Sequence, residues 1–206
     1  NVSANSANAL AEAQARSPFF ADVHVPVADV PESIIAHLTG ARPGVVILSG
    51  HAGDGKSTIA LDIFKRLRGL PADQPLDRPL GMTEVLSVGS RAVTIVKDLS
   101  EIEPAHRLPF FEDAFASEGS WLIVANTGPL LDTCVAYAEA RSLPRDEVEN
   151  EVLKLLEESL DAGLEARHGS TIFGDKAFAV ANLTRRDNVP LAMKILDRIL
   201  EAPAWE

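Results

Sequence analysis

The residues best equipped for chemistry lie in one short run. Gly50, His51, Ala52, Gly53, Asp54, Gly55, Lys56 and Ser57, followed by Thr58, satisfy the spacing G-x-x-x-x-G-K-[ST]. Each residue type has a reason. Glycines let the backbone turn sharply, so that successive N–H groups face inward around an anion. Lys56 is long enough to reach terminal phosphates, and the Ser57 hydroxyl is a ligand for Mg²⁺. A helix that starts at the end of the loop aims its positive end at the same point. The expected ligand is a nucleoside triphosphate, ATP with Mg²⁺. His51 and Asp54 read as loop positions with solvent-facing side chains.

Hydrolysis of a triphosphate further needs a carboxylate that organises the metal and a group that orients water. The run 92–97 (AVTIVK) ends at Asp98, the expected metal-organising carboxylate. Leu99 follows it, and Glu101 is the nearest acid beyond. Glu101 either polarises water or caps a turn and faces solvent, a choice that geometry makes. The run 121–125 (WLIVA) ends at Asn126. Its amide either helps place the attacking water or simply closes the strand, since Asn is a common turn residue.

These side chains need strands that end together. The run 45–48 (VVIL) is short, continuous and rich in β-branched residues, which suits a strand buried on both faces. After the loop, Ile59, Ile63, Phe64 and Leu67 keep helical spacing over 56–68, and Gly69 stops the helix. Further strands are expected at 85–88, 92–97, 121–125 and 177–181. Further helices are expected from Pro31 to Gly40, from Pro104 to 117 with Leu108, Phe111 and Phe115 buried, over 130–141, over 145–167, and over 189–200. In the last of these Leu191, Ile195, Ile199 and Leu200 are expected to face inward. Strands alternating with helices predict an α/β fold with a mainly parallel, five-stranded sheet. Residues 1–30 read as an N-terminal arm and 31–206 as one core.

The 206 residues suffice for one sizeable domain. No apolar run approaches the roughly 20 residues that span a bilayer. There is no basic, then apolar, leader at the start, and the chain, which begins with Asn1 rather than Met, is expected to be a piece of a longer protein. Cys134 is the single cysteine, so no internal disulfide forms, and a cytoplasmic location fits. It reads as a small buried thiol. The net charge is −11, concentrated in residues 101–170, which carry 15 acidic and 5 basic side chains. Such a surface argues against gripping DNA by broad electrostatics. The histidines show no metal-ligand spacing.

Four segments together carry a resemblance: 50–58, 95–101 (IVKDLSE), 121–132 (WLIVANTGPLLD) and 179–186 (AVANLTRR). They resemble AAA+-like P-loop ATPases of bacterial anti-phage defence, in particular the ATPase subunits of phosphorothioation-dependent DNA restriction systems. The resemblance implies a three-layer P-loop NTPase fold and an ATPase motor or switch within a larger, DNA-directed complex with protein partners or further copies of itself. It would make Asp98 the Walker B aspartate and Asn126 the sensor 1 residue. Arg167 would be an arginine finger for a neighbouring subunit, or else a favourable charge at a helix end. Arg185 and Arg186 could face the nucleotide or a partner. Two departures stand out: Leu99 replaces the glutamate typical after the Walker B aspartate, and one helix follows the last strand where a lid with a sensor 2 arginine is expected. A nucleotide-dependent switch with little hydrolysis therefore stays open, and a small-molecule or nucleotide kinase is a third possibility.

Overall fold

Alternation along the strands decides which face of the sheet each helix covers. In β1 (Gly44–Gly50) all seven residues are buried. Val45 and Ile47 point into one apolar cluster and Val46 and Leu48 into another, as the two-residue period of a strand requires. The computed structural model describes residues 25, 29–72, 74, 76–157, 176–185 and 188–201. Around β1 run α1 (Asp29–Thr39), α2 (Lys56–Leu67), β2 (Thr83–Val88), β3 (Arg91–Val96), α3 (Pro104–Ala116), β4 (Ser120–Asn126), α4 (Thr127–Ala140), α5 (Arg145–Glu157), β5 (Ala177–Asn182) and α6 (Val189–Glu201).

The five strands form one sheet in the order β2-β3-β4-β1-β5. β1 pairs in parallel with β4 and with β5, and β3 pairs in parallel with β4. The exception is β2, which is antiparallel to β3. Its cause is local: only Gly89 and Ser90 separate the two strands, with Gly89 at φ 60°. Two-residue connections of this kind make hairpins. The alternation of strand and helix is therefore broken at this hairpin, and again where α5 follows α4 with no described strand between them.

Val30, Ile34 and Leu38 of α1 and Ile59, Ile63 and Phe64 of α2 pack on one face of the sheet. Phe111 of α3, Leu130, Cys134 and Tyr137 of α4, and Val148, Val152 and Leu156 of α5 pack on the other. Burying each such large side chain contributes about 1.5–3 kcal/mol. Cys134 is fully buried, and that burial raises its thiol pKa. Leu108 and Phe115 are only half-buried beside Phe111. At the end of α1, Arg91 Nη1 donates to Gly40 O at 2.7 Å and Nη2 to Ala41 O at 3.2 Å, tying that turn to the start of β3.

The last helix departs from expectation. No residue of α6 is buried. Leu191, Ile195 and Ile199 are half-covered, and Leu200 is 70% exposed rather than inward. Helical spacing shows that an apolar stripe exists, and not whether this body supplies its partner. Of the helix expected over 145–167, α5 covers Arg145–Glu157, and the rest of that span, Arg167 included, lies outside the described residues. No described helix is long and apolar enough to cross a membrane.

Candidate functional site at the carboxyl ends of the central strands

β1 and β4 are parallel neighbours, yet the helices that follow them leave to opposite faces: α2 to one cluster, α4 to the other. A crevice outside the carboxyl ends of two such strands is where open α/β sheets bind ligands. The register brings Gly50 of β1 opposite Asn126 of β4. On the outer side of β1, Ser49 lies opposite Asn182 of β5.

The loop from Gly50 to Lys56 is built by its backbone. Gly53 has φ 92° and Gly55 φ 84°, the left-handed region that disfavours a side chain. At Gly50 space decides instead: a Cβ would lie 2.8 Å from Asp54 Oδ2. That carboxylate turns back into the loop and accepts the His51 N–H at 2.6 Å, while the Asp54 N–H donates to His51 O at 3.3 Å. The solvent-facing role expected for Asp54 is thus corrected, since it is half-buried and closes the loop. His51 is exposed, as expected. Gly55 is the N-cap of α2, with no side-chain hydrogen bond capping the helix and no acid in its first turn. The positive end of α2 is therefore not neutralised by its own side chains. Ser57 and Thr58 lie half-buried in that turn.

Lys56 is 7% exposed. Its ammonium folds under the loop and donates to His51 O at 2.6 Å and Gly50 O at 3.2 Å. Burial pulls its pKa below the ordinary value, and the carboxylates of Asp98 and Asp54 push back. Asp98 thus acts electrostatically on the loop lysine from the end of β3, one strand beyond β4.

The second turn is built differently. Asp98 has an extended backbone and caps the short 3₁₀ turn Leu99–Glu101, its Oδ1 accepting the Ser100 N–H at 2.8 Å. Glu101 ends that turn, half-buried. Asn126 is half-buried, and its side chain makes no capping bond to α4, although it stands at that helix's N-cap. Its backbone N–H donates to Ser100 Oγ at 3.2 Å. The glycine loop, Lys56, Asp98 and Asn126 are therefore gathered at one end of the sheet. Arg167 and Arg186 lie outside the described residues, and Arg185 ends the 3₁₀ turn Leu183–Arg185 after β5.

Sequence reasoning missed four polar residues here. Ser100 is one. Ser49 Oγ lies 3.5 Å from Thr127 Oγ1, joining the ends of β1 and β4. Asn182 is buried, donates from Nδ2 to Leu156 O at 2.6 Å, and accepts from Thr184 N and Oγ1. A polar residue ending a buried strand is the only sequence signal for Asn182, the same signal that singled out Asn126. Among the described residues no group of three or more His, Cys, Asp and Glu could hold a metal by itself. A cleft of about 430 Å³ lies elsewhere, between Phe64 and Leu67 of α2 and the edge strand β2, and is lined by no residue of the glycine loop. Compared with known proteins, the chain matches no protein-family model and no curated protein.

Proposed function

We propose that this chain is an ATPase module, a P-loop NTPase of AAA+-like, three-layer architecture. In this reading it binds ATP with Mg²⁺ through Gly50, His51, Ala52, Gly53, Asp54, Gly55, Lys56, Ser57 and Thr58. One observation carries the reading. A loop with two left-handed glycines leads into an uncapped helix at the point where β1 and β4 send their helices to opposite faces, with a buried lysine beneath it. Backbone N–H groups and the positive end of a helix suit phosphate. Lys56, held near the phosphates, neutralises their charge.

The donor chemistry fits Mg²⁺. The metal binds through one or two hard oxygen ligands and completes its shell with phosphate oxygens and water. Ser57 supplies a hydroxyl, and Asp98 supplies a carboxylate close enough to the loop to act on Lys56. When bound, the metal would stabilise charge that develops on the phosphates. Glu101 orients the attacking water, Asn126 holds it near the terminal phosphate, and Arg167 of a neighbouring copy adds positive charge. The four motif segments support placing the module in a larger, cytoplasmic, DNA-directed defence complex with protein partners.

A second reading, a switch that binds ATP and scarcely cleaves it, is favoured by one observation. Glu101 stands at the far end of a 3₁₀ turn from Asp98, whose carboxylate is already engaged in capping that turn.

The deciding experiment measures ATP affinity and hydrolysis with Mg²⁺ for the wild-type chain, Lys56→Ala and Glu101→Gln. Removing a charge-assisted contact of about 1.5–3 kcal/mol should weaken binding by roughly 10- to 100-fold in Lys56→Ala. Glu101→Gln should bind and not turn over. Binding without turnover in the wild type selects the switch. A wild type that binds no nucleotide ends both readings.

A further inference from the structure

Strand β3 ends before its neighbour β4 does. Their pairing stops at Val96 opposite Ile123, while β4 stays paired with β1 as far as Asn126 opposite Gly50. The last stretch of β4 therefore has β1 on one side and no strand on the other. A backbone N–H left at such a split needs an acceptor. Ser100 Oγ provides it for Asn126, at 3.2 Å.

Ser100 is bonded through its other polar atoms as well. Its N–H donates to Asp98 Oδ1 at 2.8 Å, which orients that carboxylate. Its carbonyl accepts from Arg107 Nη2 at 3.3 Å, while Arg107 Nε donates to Ile102 O at 2.8 Å. Arg107, from α3, thus holds the turn on both sides of Glu101. From there the connection runs through Asn126 to Gly50, its neighbour across the ladder and the first residue of the glycine loop.

We infer that Ser100 is a positioning residue. Its hydroxyl spans the gap between β3 and β4 and so sets where Asp98 and Glu101 stand relative to Asn126 and the phosphate loop. This rests on the nucleotide reading above and adds to it a residue that need not touch the ligand. The Asp98 bond to the Ser100 main chain survives replacement of the side chain, so the turn still has its cap. What Ser100→Ala removes is the tie to β4. Reacting groups displaced by about 1 Å cost on the order of 10²-fold in rate.

The test compares wild type, Ser100→Ala and Ser100→Thr by equilibrium ATP binding, single-turnover hydrolysis, thermal midpoint and hydrogen exchange at the Asn126 amide. In Ser100→Ala, hydrolysis should fall about 10- to 100-fold while ATP affinity stays within about threefold of wild type, and the Asn126 amide should exchange faster. Ser100→Thr, which keeps the hydroxyl, should restore both rate and protection. Unchanged hydrolysis in Ser100→Ala overturns the inference. So does a loss of rate that only tracks a fall in thermal midpoint and is not rescued by threonine. A wild type that binds ATP without hydrolysing it also overturns the inference, but leaves nucleotide binding standing. A wild type that binds no ATP overturns the nucleotide reading itself.

Discussion

The two turns that leave β1 and β3 stand at the same end of the sheet but are made of different material. The first, from Gly50 to Lys56, is a backbone device. Two left-handed glycines shape it, no side chain caps the helix behind it, and Lys56 and Asp54 fold back onto its peptide groups. The second, from Asp98 to Glu101, is held by side chains: the Ser100 N–H is bonded to the Asp98 carboxylate and the Ser100 carbonyl to Arg107. A loop of the first kind suits holding an anion through peptide N–H groups, and a turn of the second kind suits holding one carboxylate at a set position. Binding and turnover should therefore separate between the two turns.

The sharpest way to break this contrast is Gly55→Val. A side chain at φ 84° costs about 1–2 kcal/mol, and the β-branched valine tilts the first turn of α2. ATP affinity should fall at least about tenfold, with a thermal midpoint lower by roughly 2–8 °C. Binding titrations and melting curves check this, and an unchanged affinity would remove the loop from the site.

Asp98→Asn comes next and probes the second turn. The Mg²⁺-dependent part of the affinity should be lost while metal-free binding persists. Asp98 raises the Lys56 pKa against the lowering effect of burial, so its removal lowers that pKa further. The alkaline limb of the affinity profile should move to lower pH in the variant, and a titration from neutral to alkaline pH reads the sign.

The smallest effect on the site is expected at the opposite end of the sheet. Lys176, just before β5, donates from Nζ to Ala114 O at 2.6 Å, Ser117 Oγ at 3.1 Å and Gly119 O at 2.9 Å, holding the turn that leads into β4. Lys176→Met should cost about 1–3 kcal/mol of stability at neutral pH, because buried acceptors lose their donor, and leave ATP affinity alone. Burial pulls the Lys176 pKa down to about 8 from 10.5. Between those values the unfolded chain carries more protons than the folded one, so the cost of the substitution rises with pH above its neutral-pH level, through the window from about 8 to about 10.5, and levels off beyond it. Denaturant titrations of both proteins across that window check the sign.

How much of this could be read from residues alone depended on how local the cause was. The glycine loop, the helix behind it and the four continuous apolar strands are local, because spacing, β-branching and helical period act within a few residues. So is the mainly parallel α/β class, which follows from the order of elements. The β2–β3 hairpin is equally local, since Gly89-Ser90 leaves room only for a tight turn, although the order of elements alone does not reveal it. Asp54 illustrates the limit at short range: its type suited a turn, but only the folded loop turned its carboxylate back onto the His51 N–H.

What tertiary structure alone decided was everything that joins distant parts of the chain. The strand order brings Gly50 opposite Asn126, 76 positions away, and puts β4 between β1 and β3, the strand that leads to Asp98. No periodicity encodes that order, since it comes from which apolar faces bury against one another. The bond from the Asn126 N–H to Ser100 depends on β4 running on past the end of β3 at Val96, and Arg107 reaches the turn from a separate helix. The apolar stripe of α6 makes the same point from the other side, because a helix can state by its sequence what it would bury but not whether the fold offers a surface to bury it against.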